Sequence, residues 1–112
     1  MIAEKLESIE QHGGITANDV AKLLDTTPET ISRWKGGKTQ PQQRLLEHLL
    51  HLEFLMDELS ELYRPEEAKI WLYSPNKMLK GRRPVDLIAQ GDDASRDEVL
   101  RVISHLKDRA FA

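Results

Sequence analysis

The sequence predicts an all-α fold on three observations. Apolar residues recur at intervals of three and four along most of the chain, which is the period of a helix that buries one face. The alternation of apolar and polar residues that is typical of strands is absent, and β-branched residues are few. Glycines and prolines separate the apolar stretches where helices would end and begin. We expect two parts that share one core: a front part, residues 1–44, and a back part, residues 45–112.

The composition excludes several classes of protein. Hydrophobic residues make up 39% and charged residues 31% of the chain, which is ordinary for a folded soluble protein. Because there is no cysteine, disulfides, thiolate zinc sites and thiol catalysis are excluded. The N-terminal segment lacks the apolar core of a signal peptide, and no apolar run approaches the ~20 residues that a membrane span needs. We therefore expect a cytoplasmic protein.

The charged residues are unevenly distributed. The net charge of −3 does not suggest a general nucleic-acid binder. Acidic residues gather in 53–67 and 92–98, however, and leave two basic clusters. The first comprises Arg33, Lys35, Lys38 and Arg44, and the second comprises Lys77, Lys80, Arg82 and Arg83. Two separate basic clusters on an acidic chain predict two local contact surfaces.

The front part begins with three short helices. Apolar residues between Ile2 and Ile9 have helical spacing, and His12-Gly13-Gly14 ends that helix. Thr16, with Asp19 three residues later, is a good N-cap for the second helix. Thr27-Pro28 is a strong start for the third, since proline is favoured in the first turn, and Gly36-Gly37 ends it.

One long helix follows, from Pro41 to about Tyr63. Its apolar stripe is Leu45, Leu49, Leu52, Met56, Leu59 and Tyr63, and four further leucines widen it beyond the ~100° that one packed neighbour requires. Two interpretations stay open. The helix is either a central core helix, or a core helix that also forms the seam of a dimer.

The back part continues with shorter helices. Helical segments are predicted from Pro65 through Leu72 and from Pro84 through Ile88, with a short turn at Met78-Leu79 between them. Ser95 and Glu98 have the spacing of a capping box, which predicts the start of the last helix.

The segment from Ile15 to Gly37 combines two short helices and a tight turn, with Val20, Leu24, Ile31 and Trp34 as the buried contacts. This is the helix-turn-helix arrangement, in which the second helix enters the major groove by its N-terminal end. The stretch TANDVAKLLDTTPETISRWKGGKTQP resembles the Xre or phage-repressor type of this motif. The resemblance implies an Xre-like helix-turn-helix domain in residues 1–44.

The resemblance also implies which residues meet DNA. Base contacts would come from Pro28, Glu29 and Thr30 at the start of the second helix, and from Arg33 one turn later. Glutamate repels phosphates but can accept a hydrogen bond from cytosine. The DNA backbone would be held by Thr16, Thr27, Lys35, Lys38 and Arg44. The alternative, a helix-turn-helix kept only as a packing scaffold, stays open.

A second resemblance lies in AKIWLYSPNKMLKGRRPVDLIAQG. Its carriers are Trp71, Ser74-Pro75-Asn76, Leu79, Gly81, Pro84, Asp86, Leu87 and Gly91. This spacing resembles the toxin-binding domain of Xre/MbcA/ParS-type antitoxins. It implies a helical toxin-binding domain in residues 45–112. The toxin-contacting residues would include Trp71, Asn76, Lys77, Lys80, Arg82 and Arg83, with the basic ones displayed on one side.

The second resemblance implies a partner, since such antitoxins neutralise RES-domain toxins, which consume NAD or transfer ADP-ribose from it. In that family the C-terminal segment reaches into or covers the toxin's active-site cleft. That places Lys107, Arg109, Phe111 and Ala112 at the toxin. Two departures bear on how the tail enters a cleft: the step from Asp92 to Asp97 is longer and more acidic than usual, and Arg109 replaces a small residue.

An enzymatic function is not expected. His48 and His51 lie three residues apart beside Glu47, but no third ligand has clear geometry, so they are most simply surface histidines. Ser32 and Ser74 have no evident histidine and aspartate partners. We expect no metal and no cofactor.

The predicted function is therefore an antitoxin that blocks a RES-domain toxin and represses its own operon, as a homodimer or a larger complex with the toxin. A phage-repressor-like regulator without a toxin is the alternative. A structural adaptor with a vestigial helix-turn-helix is a third possibility. An adjacent gene for a RES-domain protein separates the first two.

Overall fold

The computed structural model describes residues 1–111, which form seven α-helices, one 3-10 turn and no strand. The elements are α1 (Ile2–Gly13), α2 (Ala17–Leu23), α3 (Pro28–Lys35), α4 (Gln43–Ser60), α5 (Pro65–Tyr73), the 3-10 turn (Lys77–Leu79), α6 (Pro84–Gln90) and α7 (Asp93–Phe111). The predicted all-α fold is confirmed. Up to Phe111, no helix combines the length and the apolar character that crossing a membrane requires.

The two predicted caps of the front part are present. The Thr16 hydroxyl accepts a hydrogen bond from the Asp19 amide (3.3 Å), and the Asp19 carboxylate accepts one from the Thr16 amide (3.0 Å). Each side chain thus satisfies an amide that the first turn of α2 leaves without a partner. Thr27 caps α3 in the same way, because its hydroxyl accepts from the Thr30 amide (3.2 Å).

Helix α4 is the central element of the core, as one of the two interpretations predicts. It is shorter than expected at both ends, and Leu49, Leu52 and Leu59 are completely buried. Its opposite face is different, since Leu50 and Phe54 are 40% and 50% exposed. The leucine stripe is therefore broader than the core uses.

The front and back parts share one core. Buried side chains from all seven helices form a single cluster, and α1 packs against both α4 and α5. The two parts approach closely at Gly14, which ends α1 with a φ of 63°. A Cβ atom there would overlap the backbone of Pro65, at the start of α5. Only glycine fits a left-handed turn that is pressed against another backbone.

The predicted start of the last helix is wrong. Helix α7 begins at Asp93, and the carboxylate of Asp92 accepts from the Ser95 amide (3.1 Å). Ser95 is buried and donates its hydroxyl to Gln90 (2.7 Å), while Glu98 pairs with Arg82 instead of capping the helix. The acidic step is thus the entry and first turn of α7, where carboxylates are favoured by the helix dipole.

His48 is also not the surface residue that the sequence suggested. Its side chain is only 7% exposed and packs under Gly91, at the corner between α6 and α7. Residue 48 follows the inward face of α4, adjacent to Leu49 and one turn before Leu52. Burial, with the Arg96 charge as the next cause, lowers the pKa of His48 below the usual histidine range.

Candidate functional site

The helix-turn-helix is built on the predicted apolar contacts. Val20, Leu24 and Ile31 are completely buried and Trp34 is 4% exposed, so α2 and α3 are held in a fixed relation. Ala21 is buried as well, which agrees with the need for a small side chain where the helices cross. The expected packing of the motif is confirmed.

Apart from Pro28, which has no side-chain donor, half of the predicted DNA contacts are exposed and unpaired. Glu29, Arg33, Lys38 and Arg44 are solvent-exposed, and none makes an ion pair within residues 1–111. Glu29 and Arg33 lie one turn apart on α3, so they share a face. These side chains can reach an outside ligand without giving up a contact inside the protein.

The other four have internal partners. Thr16 and Thr27 are the N-caps of α2 and α3, and the Thr30 hydroxyl is 2.9 Å from that of Thr27. Lys35 is half-buried and its Nζ lies 2.5 Å from a carboxylate oxygen of Glu10 on α1. A phosphate contact from Lys35 would have to compete with this ion pair.

In the back part, α5 has two different faces. Ala68 and Leu72 are completely buried. The opposite face carries Glu67, Ile70, Trp71 and Ser74, which with Tyr63 line a shallow groove of about 380 Å³. We call this the α5 groove. Trp71 packs partly on the core, and Ile70 is 67% exposed. Ile70 was missed at the sequence level, although the 67-70-71-74 spacing already places it beside Trp71.

The turn after α5 is held by Asn76. Its side chain accepts from the Met78 amide (2.9 Å), and its carbonyl accepts from the Gly81 amide (2.9 Å). Lys80 takes a left-handed conformation, with a φ of 60°. The predicted contact residue Asn76 therefore shapes the loop that presents Lys77 and Lys80.

All four residues of the basic cluster in this loop are exposed, but the two arginines have internal partners. Arg82 turns to α7, where it donates to Glu98 (2.6 Å), and it also donates to the Leu79 carbonyl (2.8 Å). Arg83 donates twice to Asp86, at 2.9 Å each. That pair raises the pKa of Arg83 and lowers the pKa of Asp86. Within the described residues, ion pairs leave only the two lysines of the cluster available.

One hydrogen bond joins the helix-turn-helix to the back part. The hydroxyl of Tyr73 on α5 donates to the carboxylate of Asp19 on α2 (2.9 Å), and the Arg83 guanidinium lies 5.8 Å from the centre of the Tyr73 ring. Burial and the Asp19 carboxylate raise the pKa of Tyr73 to about 12. Asp19 is thus shared between the cap of α2 and the contact with the back part.

The predicted C-terminal contacts differ in their surroundings. Lys107 reaches back to the end of α4, where its Nζ lies 2.9 Å from Glu58 and 3.3 Å from Glu61. The hydrogen bond to Glu58 raises the pKa of Lys107. Arg109 is exposed and Phe111 is 64% exposed. Ala112 lies outside the described residues.

Known proteins share this arrangement. Residues 58–108 match the family described as the antitoxin Xre/MbcA/ParS C-terminal toxin-binding domain. The chain belongs to the Xre/MbcA/ParS-type antitoxin family. The matched range contains α5, α6, the loop between them and most of α7, so the resemblance inferred from Trp71 to Gly91 is confirmed.

The similarity to single members of the Xre/MbcA/ParS family extends over the front part. The mycobacterial cidal antitoxin MbcA of Mycobacterium tuberculosis is 28% identical over 111 residues, which are 99% of this chain and 96% of that protein. A probable mycobacterial cidal antitoxin of the same organism is 32% identical over 77 residues, 69% of this chain and 65% of that protein. In the crystal structure of the M. tuberculosis MbcT–MbcA toxin–antitoxin complex, one chain has a TM-score of 0.83 and 28% identity, with 100% of this chain and 98% of that chain covered.

Proposed function

We propose that this chain is the antitoxin of a type II toxin–antitoxin pair, acting in the cytoplasm without catalytic activity of its own. It binds and inhibits a RES-domain toxin that consumes NAD, and it represses its own operon through the helix-turn-helix. The similarity to MbcA along the whole chain is the observation that carries the proposal, since MbcA has been solved in complex with the toxin MbcT. The choice of a RES-domain toxin rests on the family resemblance.

The proposed toxin contacts lie on the back part. Trp71 contributes apolar area at the α5 groove, and Lys77 and Lys80 contribute unpaired charge at the loop. Beyond Lys107, the exposed Arg109 and Phe111 extend toward the toxin as a short tail with an aromatic anchor. Because Lys107 is paired to α4, it acts as the base of this tail.

The proposed DNA contacts lie on the front part. The exposed Arg33, Lys38 and Arg44 supply positive charge for phosphates and bases, and Glu29 limits the sequences that are accepted. The exposed ridge of α4 at Leu50 and Phe54 supports a homodimer, which would suit a two-fold operator. A dimer would also bury apolar area that the core of one chain leaves in water.

The test is co-expression with a candidate RES-domain toxin, while cellular NAD and growth are measured. The intact chain should preserve both. A chain ending at Asp108 should lose most of the protection, because it lacks the tail but keeps the Lys107 pair with Glu58. A matched chain with Arg109→Ala keeps the tail length and should retain more protection. Full protection by the chain ending at Asp108 would contradict the role of the tail.

A regulator without a toxin is the second candidate, favoured by the four unpaired side chains of the helix-turn-helix. It predicts a salt-dependent gel shift of upstream DNA together with no effect on any toxin. An adaptor with a vestigial helix-turn-helix predicts no shift at low salt. Toxin neutralisation and DNA binding, measured separately, therefore distinguish all three.

A further inference from the structure

The α5 groove exposes apolar area that the fold does not use. Ala68 and Leu72 of helix α5 are buried in the core. A second apolar pair, Ile70 and Trp71, lies on the other face of the helix. Ile70 is 67% exposed, the highest value for a large hydrophobic side chain between Ile2 and Phe111. A nine-residue helix with two apolar faces is typical of an element that packs on one side and binds on the other.

The surroundings of the groove restrict its occupant. The rim is acidic, since Glu67 lines the groove and Glu66 is exposed beside it. Arg64 at the start of α5 has its Nε 3.7 Å and 4.0 Å from carboxylate oxygens of Glu67 and Glu66. An acidic rim repels phosphates, which argues against DNA. A two-fold axis through the groove would place these glutamates against their own counterparts, which disfavours a second copy.

The position in the chain favours the toxin. The four α5 residues of the groove lie inside the range 58–108, which matches a toxin-binding domain, and the exposed ridge of α4 lies outside it. Tryptophan is also among the residues that most often dominate binding energy at interfaces, particularly where it is partly pre-packed.

We propose that the α5 groove is the apolar anchor point for the toxin, with Ile70 as its central contact. The toxin surface that fits it carries an aliphatic or aromatic side chain, which enters between Ile70 and Trp71, and a lysine or arginine at its edge, which faces Glu67. This inference rests on the proposed antitoxin function. It adds a second contact region to the C-terminal tail.

The experiment measures binding of the toxin identified by the co-expression test to purified full-length variants, by calorimetry or biolayer interferometry. Ile70→Ser should weaken binding at least tenfold, as truncation of a central apolar contact does, and Ile70→Leu should restore most of it. Because Ile70 is exposed, the melting temperature of Ile70→Ser should stay near that of the unaltered chain. Gln11→Ser is the control: Gln11 is exposed on α1, outside residues 58–108, and its change should leave toxin affinity unaltered.

The possible results separate the inference from the function on which it rests. If the unaltered chain does not bind the toxin, the proposed function fails and the inference fails with it. If the unaltered chain binds and Ile70→Ser binds equally well, only the inference is overturned. If Ile70→Ser lowers the molar mass of the free protein but leaves toxin affinity unchanged, the groove is a contact between copies, and the inference is again overturned.

Discussion

Arg33 in the front part and Arg82 in the back part are both exposed, but they are used differently. Arg33 has no ion-pair partner among residues 1–111. Arg82 is held between the Leu79 carbonyl and the Glu98 carboxylate. Arg33, Lys38 and Arg44 of the front part thus have no ion-pair partner among the described residues, whereas Arg82 and Arg83 of the back part fix a loop. We therefore expect recognition by the back part to depend more on shape and apolar contact.

The paired cations of the back part are not a large source of stability. An exposed ion pair contributes about 0.2–1 kcal/mol, because water already solvates both charges. The pairs of Arg82 and Arg83 instead limit the conformations of the loop between α5 and α6. A loop that is ordered before binding costs less entropy when a partner docks.

The largest effect that we predict tests whether the front and back parts unfold together. Gly14→Ala should destabilise the protein by about 3 kcal/mol or more, because the left-handed turn disfavours a side chain and the new Cβ meets the Pro65 backbone. Thermal unfolding followed by circular dichroism should show one transition at a much lower temperature.

Gly37→Ala is the control for this change. Gly37 also has a positive φ, 75°, but nothing lies within 4 Å of a Cβ added there. Its loss should be limited to the strain of the turn, about 1 kcal/mol. If Gly14→Ala is no worse than Gly37→Ala, or if it melts the front part alone, the two parts are less closely joined than the structure indicates.

The next prediction concerns the unpaired cations. Arg33→Ala should weaken binding of upstream operator DNA about 10- to 100-fold, which corresponds to the roughly 1–3 kcal/mol of one base-reading side chain. Lys35→Ala should have a smaller effect, since Lys35 already pairs with Glu10. Gel shifts at several salt concentrations measure both, with Arg82→Ala as the control. Equal affinities for the Arg33 and Arg82 variants would remove the proposed difference between the halves.

Much of the architecture was predictable because its signals are local. Thr16 and Thr27 cap the helices that they were expected to cap, and the Trp71-to-Gly91 spacing marks the toxin-binding half. A cap depends on residues that are three positions apart, so the sequence itself contains it. The all-α class follows from the same local periodicity.

The errors arose where a distant element decides. Glu98 satisfies the capping-box pattern but binds Arg82, from the loop before α6. The cap of α7 comes instead from Asp92, a local signal that competes with the one at Ser95. His48 is buried because α6 and α7 cover that side of α4, which its own helix does not reveal. The ion pair of Arg82 with Glu98 and that of Lys107 with Glu58 likewise depend on segments that only the tertiary structure brings together.

A smaller effect is expected at the hydrogen bond that joins the helix-turn-helix to the back part. Tyr73→Phe removes the donor to Asp19, which should lower the free energy of unfolding by about 1 kcal/mol and the melting temperature by a few degrees. Tyr63→Phe is the matched control, because the Tyr63 hydroxyl makes no hydrogen bond with residues 1–111. Equal stabilities of the two variants would show that the hydrogen bond from Tyr73 to Asp19 contributes nothing to the free energy of unfolding.

The smallest predicted effect is a dependence of stability on pH, caused by the buried His48. His48 lines a cavity of about 200 Å³, together with Asp25 of the front part and Arg96 of the back part. Its pKa is lowered from the usual 6.5, so below that pH the unfolded chain binds more protons than the folded chain. Stability should therefore fall as the pH drops through about 6.5 toward the folded-state pKa. His48→Gln should reduce the change of melting temperature between pH 7.5 and 5.5. His51→Gln, at an exposed position on the same helix, should show the same change as the unaltered chain. If the melting temperature changes equally with pH in the unaltered chain and both variants, the pKa of His48 does not differ between the folded and unfolded chains.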